Sequence, residues 1–139
     1  MPDRADWVLT ALASADDDVR PVQLQKVLFL FGRYTDQEPP LYNFQPYHYG
    51  AFDADVYQDA ELLEDRGLID IIPSRAHRLR RYRVTDEGKR AADRVVISTE
   101  DRQYLAALME WAQGLSFAEL VSKVYEIAPE TRRNSIFVP

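Results

Sequence analysis

Residues 47–71 read YHYGAFDADVYQDAELLEDRGLIDI: an aromatic lead-in, an amphipathic helix, a glycine stop and the start of a strand. Val56, Ala60 and Leu63 recur at helical spacing, with Tyr57 and Leu62 beside them, so one face of the helix is apolar. Asp53 stands where a cap belongs, and Gly67 is a left-handed stop over which Leu68 folds back. The same helix carries Asp53, Asp55, Asp59, Glu61, Glu64 and Asp65 against Arg66 alone. A helix laid into a DNA groove would meet dense negative charge, and these carboxylates would oppose the approach. One stretch thus sets the fold and raises the question of what the fold holds.

Upstream, Trp7, Val8, Ala11 and Leu12 predict a first helix over 4–14, ended by the charged turn Asp16–Asp18. Pro21 suits a first helical position, where its missing amide hydrogen goes unused. From there Leu24, Val27, Leu28 and Phe31 form a stripe that Phe29 and Leu30 widen, and Gly32 with TDQEPP is expected to end the helix. LYNFQPYHYGAF (41–52) reads as an aromatic connector, kept from helix by Pro46 and Gly50. Downstream, LIDII and HRLRRYRVT flank PSRA as a β-hairpin, and Thr85 caps a short helix over 86–95. The order helix, helix, helix, hairpin is that of a winged helix.

A helical tail follows, with one helix over 100–112 and another opened by the capping pair Ser116 and Glu119 and ended before Pro129. The expected fold is mainly α with a small β-hairpin: a winged-helix-like core (4–97) with C-terminal helices (98–139) packed on it. With no repeat or flexible linker in 139 residues, the chain reads as one domain, 1–139.

Composition narrows the function. A hydrophobic share of 46% with 29% charged residues is that of a globular chain rather than a disordered one. The absence of cysteine removes disulfides, thiolate nucleophiles and Cys-ligated metals. No apolar run nears the ~20 residues needed to span a bilayer, and the N-terminus lacks the pattern of a signal peptide, so the reading is cytoplasmic with no membrane partner. His48 and His77 are the only histidines and have no metal-ligand spacing; glycine-rich phosphate loops and nucleophile elbows are missing. The expectation is a non-enzyme without cofactor or metal.

Two surfaces remain as candidates. Arg75, Arg78, Arg80, Arg81 and Arg83 cluster on the hairpin and could contact phosphates, or else pair with the acidic third helix or stay solvated. Alternation groups Arg78 and Arg80 with Tyr82 on one face, and Arg81 and Arg83 with Leu79 on the other. Against DNA stand the net charge of −6 and the acidic helix itself. The other surface is protein-binding: Tyr47 and Tyr49 as aromatic anchors, with Asp55, Asp59 and Glu64 facing a basic partner.

LQKVLFLFGRY followed by FQPYHYGAFDADVYQDAELLEDRGLI resembles the Panacea (SocA-antitoxin-like) proteins and the related YwgA-like small proteins. The matching positions are Leu24, Gln25, Lys26, Leu28, Tyr49, Gly50, Phe52, Tyr57, Leu63, Gly67 and Leu68. The ending ELVSKVYEIAPETRRNSIF is similar to the YwgA-like tail through Tyr125, Pro129, Asn134 and Ser135. The resemblance implies a helical domain with a winged-helix-like core, and a family associated with neutralising toxins and, in one branch, with presenting a toxin to a protease. It implies no catalytic residues. Ala51 stands where many members have proline. Gln25 and Lys26 read as the polar edge of a buried helix that hydrogen-bonds the connector.

The leading expectation is a cytosolic binding protein of antitoxin or adaptor type, whose partner is a toxin or a subunit of a defence system. The alternative is a winged-helix transcriptional regulator that contacts phosphates through its arginine wing, with a homodimer joining two wings.

Overall fold

Asp3 opens the first helix through a capping box: its carboxylate accepts from the Asp6 amide, and the Asp6 carboxylate accepts in return from the Asp3 amide. The computed structural model describes residues 2–76 and 79–138. In chain order it runs α1 (Arg4–Ala13), α2 (Pro21–Tyr34), β1 (Gln45–Tyr47), β2 (Gly50–Phe52), α3 (Asp55–Asp65), β3 (Ile69–Ile72) and β4 (Arg81–Val84). It continues through α4 (Asp86–Arg94), α5 (Thr99–Gln113), α6 (Phe117–Ile127) and a 3-10 turn (Pro129–Arg132). The chain is mainly helical, with two small antiparallel hairpins.

Phe31 of α2 stands near the centre of the core. Trp7 of α1 lies 5.2 Å from its ring and Tyr104 of α5 lies 6.0 Å from it. One buried cluster runs from Ala5 to Val124, so the C-terminal helices share the core of the first three rather than forming one of their own. α2 continues past Gly32 and ends at Tyr34, where TDQEPP begins. Glycine weakens a helix by only about 1 kcal/mol. Packing of Phe31 and the ion pair of Arg33 with Glu130 hold the last turn.

α3 ends as the sequence predicts. Gly67 has φ of 75°, its amide bonds to the Glu64 carbonyl at 2.9 Å, and the Leu68 amide bonds to the Leu63 carbonyl at 3.0 Å. The chain then enters β3, which pairs with β4 in the register Ile69↔Val84 to Ile72↔Arg81. The second strand begins later than HRLRRYRVT suggests, and residues 73–80 connect the two. Val19, between α1 and α2, joins the same patch: its amide donates to the Tyr82 carbonyl at 2.9 Å and its carbonyl accepts from the Tyr82 amide at 2.7 Å. Tyr82 is buried while Leu79 is exposed, so the face bearing Tyr82 covers the core.

The remaining caps also match their residues. Thr85 accepts the Gly88 amide at the start of α4, and Ser116 and Glu119 form a capping box at the start of α6. Arg102 of α5 donates to the carbonyls of Ala92 and Val95, placing positive charge at the C-terminal end of α4. Among the described residues, no helix is long and apolar enough to cross a membrane.

Candidate functional site

The aromatic connector is a β-hairpin, which its sequence does not announce. Its strands pair as Gln45↔Phe52, Pro46↔Ala51 and Tyr47↔Gly50 around a turn at His48 and Tyr49. Gly50 has φ of 103°, a conformation that side chains with a Cβ rarely adopt. A Cβ there would lie 3.2 Å from Lys26 Nζ and 3.2 Å from Tyr125 Cε1.

Two side chains of α2 tie the hairpin to the core. Gln25 donates through Nε2 to the Asp53 carbonyl at 3.0 Å and accepts the Asp53 amide through Oε1 at 3.1 Å. Lys26 donates through Nζ to the Ala51 carbonyl at 3.1 Å and is 2% exposed. This is the polar edge expected of the two residues. Burial, with no charged partner acting on it, pulls the lysine down from 10.5 to about 7. From the other side the His48 carbonyl accepts from the Ile136 amide at 3.0 Å and from Ser135 Oγ at 3.2 Å. The Tyr125 hydroxyl donates to Ser135 Oγ at 2.6 Å.

The hairpin's rings are ordered by one another. Tyr47 stacks on His48 with centroids 4.2 Å apart and on Phe52 at 5.0 Å, yet remains 48% exposed. Tyr49 is half-buried, edge-on to Phe117 of α6 at 5.1 Å. Between the hairpin, the first turns of α2 and the start of α6 lies a largely apolar cavity of about 260 Å³. Lys26, Tyr47, Tyr49, Gly50, Phe52 and Phe117 are among the residues that line it.

The acidic helix is a different matter. Asp59 is buried, and the structure corrects its assignment to a docking surface. Arg4 of α1 pairs with it at 3.2 Å and with Asp55 at 3.1 Å, and the Tyr42 hydroxyl donates to it. Arg4 also lies 4.9 Å from the centroid of the Tyr42 ring. Burial, then the neighbouring Asp59, drives Tyr42 far above the usual phenol range, so it keeps its proton and donates. Asp55 remains half-exposed. Glu64 is exposed and accepts the Ile71 amide at 2.8 Å, joining α3 to β3. The helix begins one residue later than expected, with Ala54 rather than Asp53 at its N-cap position, and Asp53 accepts the Asp55 amide at 2.8 Å from just outside it.

Among the described residues, none of the wing arginines forms an ion pair with α3. Asp18 takes Arg83 through two hydrogen bonds at 2.9 and 2.8 Å, and Arg81 lies 3.4 Å from the same carboxylate. Its hydrogen bond to Arg83 holds Asp18 below the usual carboxylate range. Arg80 is half-buried, and its Nε is enclosed without a hydrogen-bond partner among the described residues. Arg75 is exposed, and Arg78 lies outside the described residues.

Sequence reasoning missed two charged partners, Arg4 and Asp18. Neither carries a local signal, because each meets its partners only through the packing of α1 on α3 and the bridge between Val19 and Tyr82. Among the described residues, no group of three or more His, Cys, Asp or Glu is placed to hold a metal ion. Compared with known proteins, the chain matches no family model, no curated protein and no solved structure.

Proposed function

We propose that this chain is a non-enzymatic, cytosolic protein-binding module of antitoxin or adaptor type, and that it holds its partner at the β1–β2 hairpin. The observation that carries the reading is Tyr47: a large amphipathic ring, 48% exposed and already fixed by stacking on His48 and Phe52 beside an apolar cavity. A ring ordered before binding loses little further freedom when a partner covers it, and tyrosines so placed commonly dominate binding energy. The resemblance to the Panacea proteins points the same way, to a toxin or a defence-system subunit as partner. No cofactor is needed for this role.

The test is capture of partners from the native host with the intact chain and with Tyr47→Ala. A protein retained by the first and lost by the second supports the reading. Identical recoveries from both would remove the hairpin from the binding surface.

DNA binding through the wing is the second reading. In its favour, Val19 adds a third segment to the hairpin, as a winged helix requires, and Arg75 is exposed on the connection. Against it, Asp18 neutralises charge at Arg81 and Arg83. Binding to random duplex DNA that weakens steeply with salt would move this reading to first place.

A further inference from the structure

Lys26 is the group whose placement the packing of the core does not explain. Its ammonium carries three donors, and among the described residues the Ala51 carbonyl takes one of them, with no carboxylate within ion-pair distance. Burying such a charge without a counter-ion is costly, and a methionine would fill the same path without that cost. The backbone is nevertheless built around it, with glycine at position 50 keeping a Cβ off both the amine and the Tyr125 ring. Lys26 is among the residues that line the aromatic cavity, and Pro21 and Val22 in the first turn of α2 line it as well. The positive end of the α2 dipole therefore acts in the same direction as the lysine.

We propose that this cavity receives the C-terminal carboxylate of a partner chain whose last residue is apolar, with Lys26 Nζ as the anchor of the carboxylate. The inference rests on the protein-binding reading and names what the partner must present. A terminal residue delivers both halves of the match at once: its carboxylate to the ammonium, and its side chain to the rings of Tyr47, Phe52 and Phe117. An aspartate or glutamate side chain would supply the charge and leave the aromatic walls facing only its short methylene stem. The bond formed would be charge-assisted and largely removed from water, the setting in which such bonds are strongest.

The experiment follows the amide signals of Gly50, Ala51 and Phe117 in isotopically labelled full-length protein during titration with four probes. These are N-acetyl-phenylalanine, its carboxamide, N-acetyl-glutamate α-amide and 3-phenylpropionate. The expected result is that N-acetyl-phenylalanine binds at the cavity about tenfold more tightly than its carboxamide and than the glutamate probe. Lys26→Met should abolish the preference for acid over amide, and Arg94→Gln on the exposed face of α4 should leave it intact. Equal binding of acid and amide would overturn the lysine anchor while leaving the aromatic surface as a docking site. A preference kept in Lys26→Met would overturn it too, by moving the anchor away from the amine. Markedly tighter binding of 3-phenylpropionate would assign the site to small aryl acids rather than a chain terminus. Absence of any shift at the cavity would also refute the proposal, and the Tyr47→Ala capture would then decide the protein-binding reading separately.

Discussion

The buried lysine makes the stability of the fold depend on pH in a way that one substitution isolates. Lys26 titrates near about 7 in the folded chain against 10.5 for the free side chain. Below that window both states carry the proton, and the full cost of burying the charge is present. Between the two values the unfolded chain binds one more proton than the folded one, so stability rises with pH. The slope is about 1.4 kcal/mol per pH unit, which gives ~2 kcal/mol between about pH 7 and about pH 9. Tyr42 and Tyr82 are both raised, mainly by burial, so their folded forms keep protons that the unfolded chain releases. They remove stability only as pH climbs past the ordinary phenol value of about 10, above the window.

Lys26→Met abolishes this term and leaves the Ala51 carbonyl without its donor, a loss of about 1–3 kcal/mol. Against a burial cost of ~4 kcal/mol near neutrality, the variant should be the more stable chain at about pH 7 by ~1–3 kcal/mol. The advantage should shrink to nothing, or reverse, by about pH 9. Urea denaturation of both chains across this range, with equal m-values, measures the difference directly. Parallel stability profiles for the two proteins would refute the reasoning, because they would mean that the amine is not buried as a charge.

Tyr47→Ala should lose the captured partner while changing stability by less than about 1 kcal/mol, since the ring is half-exposed; a denaturation midpoint beside the capture experiment separates the two effects. Asp59→Asn should destabilise by ~1–2 kcal/mol in urea, because it removes the charge that faces the partly exposed Arg4 while an amide oxygen can still accept from Tyr42; a loss below about 0.5 kcal/mol would contradict the pairing. Gly50→Ala should cost ~1–3 kcal/mol by the same measurement, from the positive φ and the contacts its Cβ would make with Lys26 and Tyr125. Asp18→Asn should release Arg81 and Arg83 and increase salt-sensitive retention on duplex DNA relative to the unchanged chain; equal retention would show that Asp18 does not restrain the wing.

What the sequence disclosed was local. Pro21, Gly67, Thr85 and the Ser116–Glu119 pair each act within a turn or two of themselves, and each ends or opens an element where the residue type requires. The β1–β2 hairpin was not legible, because three-residue strands around Pro46 and Gly50 lack a period to detect. What holds that hairpin comes from far along the chain, in Gln25 and Lys26 on one side and Ser135 and Ile136 on the other. The partner of the wing arginines was misjudged for the same reason. Nearness in sequence favoured α3, whereas the bridge from Val19 to Tyr82 sets the Asp18 turn beside β4. The candidate site was half visible: Tyr47 and Tyr49 stood out as aromatic residues, but the cavity they share with Lys26 exists only once α2, the hairpin and α6 meet.

Four of the six carboxylates that coat α3 now have a physical account, and it bears on where recognition happens. Asp55 and Asp59 answer to Arg4, Glu64 holds the start of β3, and Asp53 accepts the Asp55 and Asn43 amides. The arginines at 81 and 83 answer in turn to Asp18. Both charged surfaces that suggested a docking face are therefore engaged largely within the chain, and a partner drawn to either must compete with contacts already made. The hairpin's exposed tyrosine is held by stacking on His48 and Phe52, and among the described residues the lysine behind it gives one donor to the Ala51 carbonyl. An acidic helix in the position of a groove reader is thus a structural strut, and the proposed binding surface lies in the connector that precedes it.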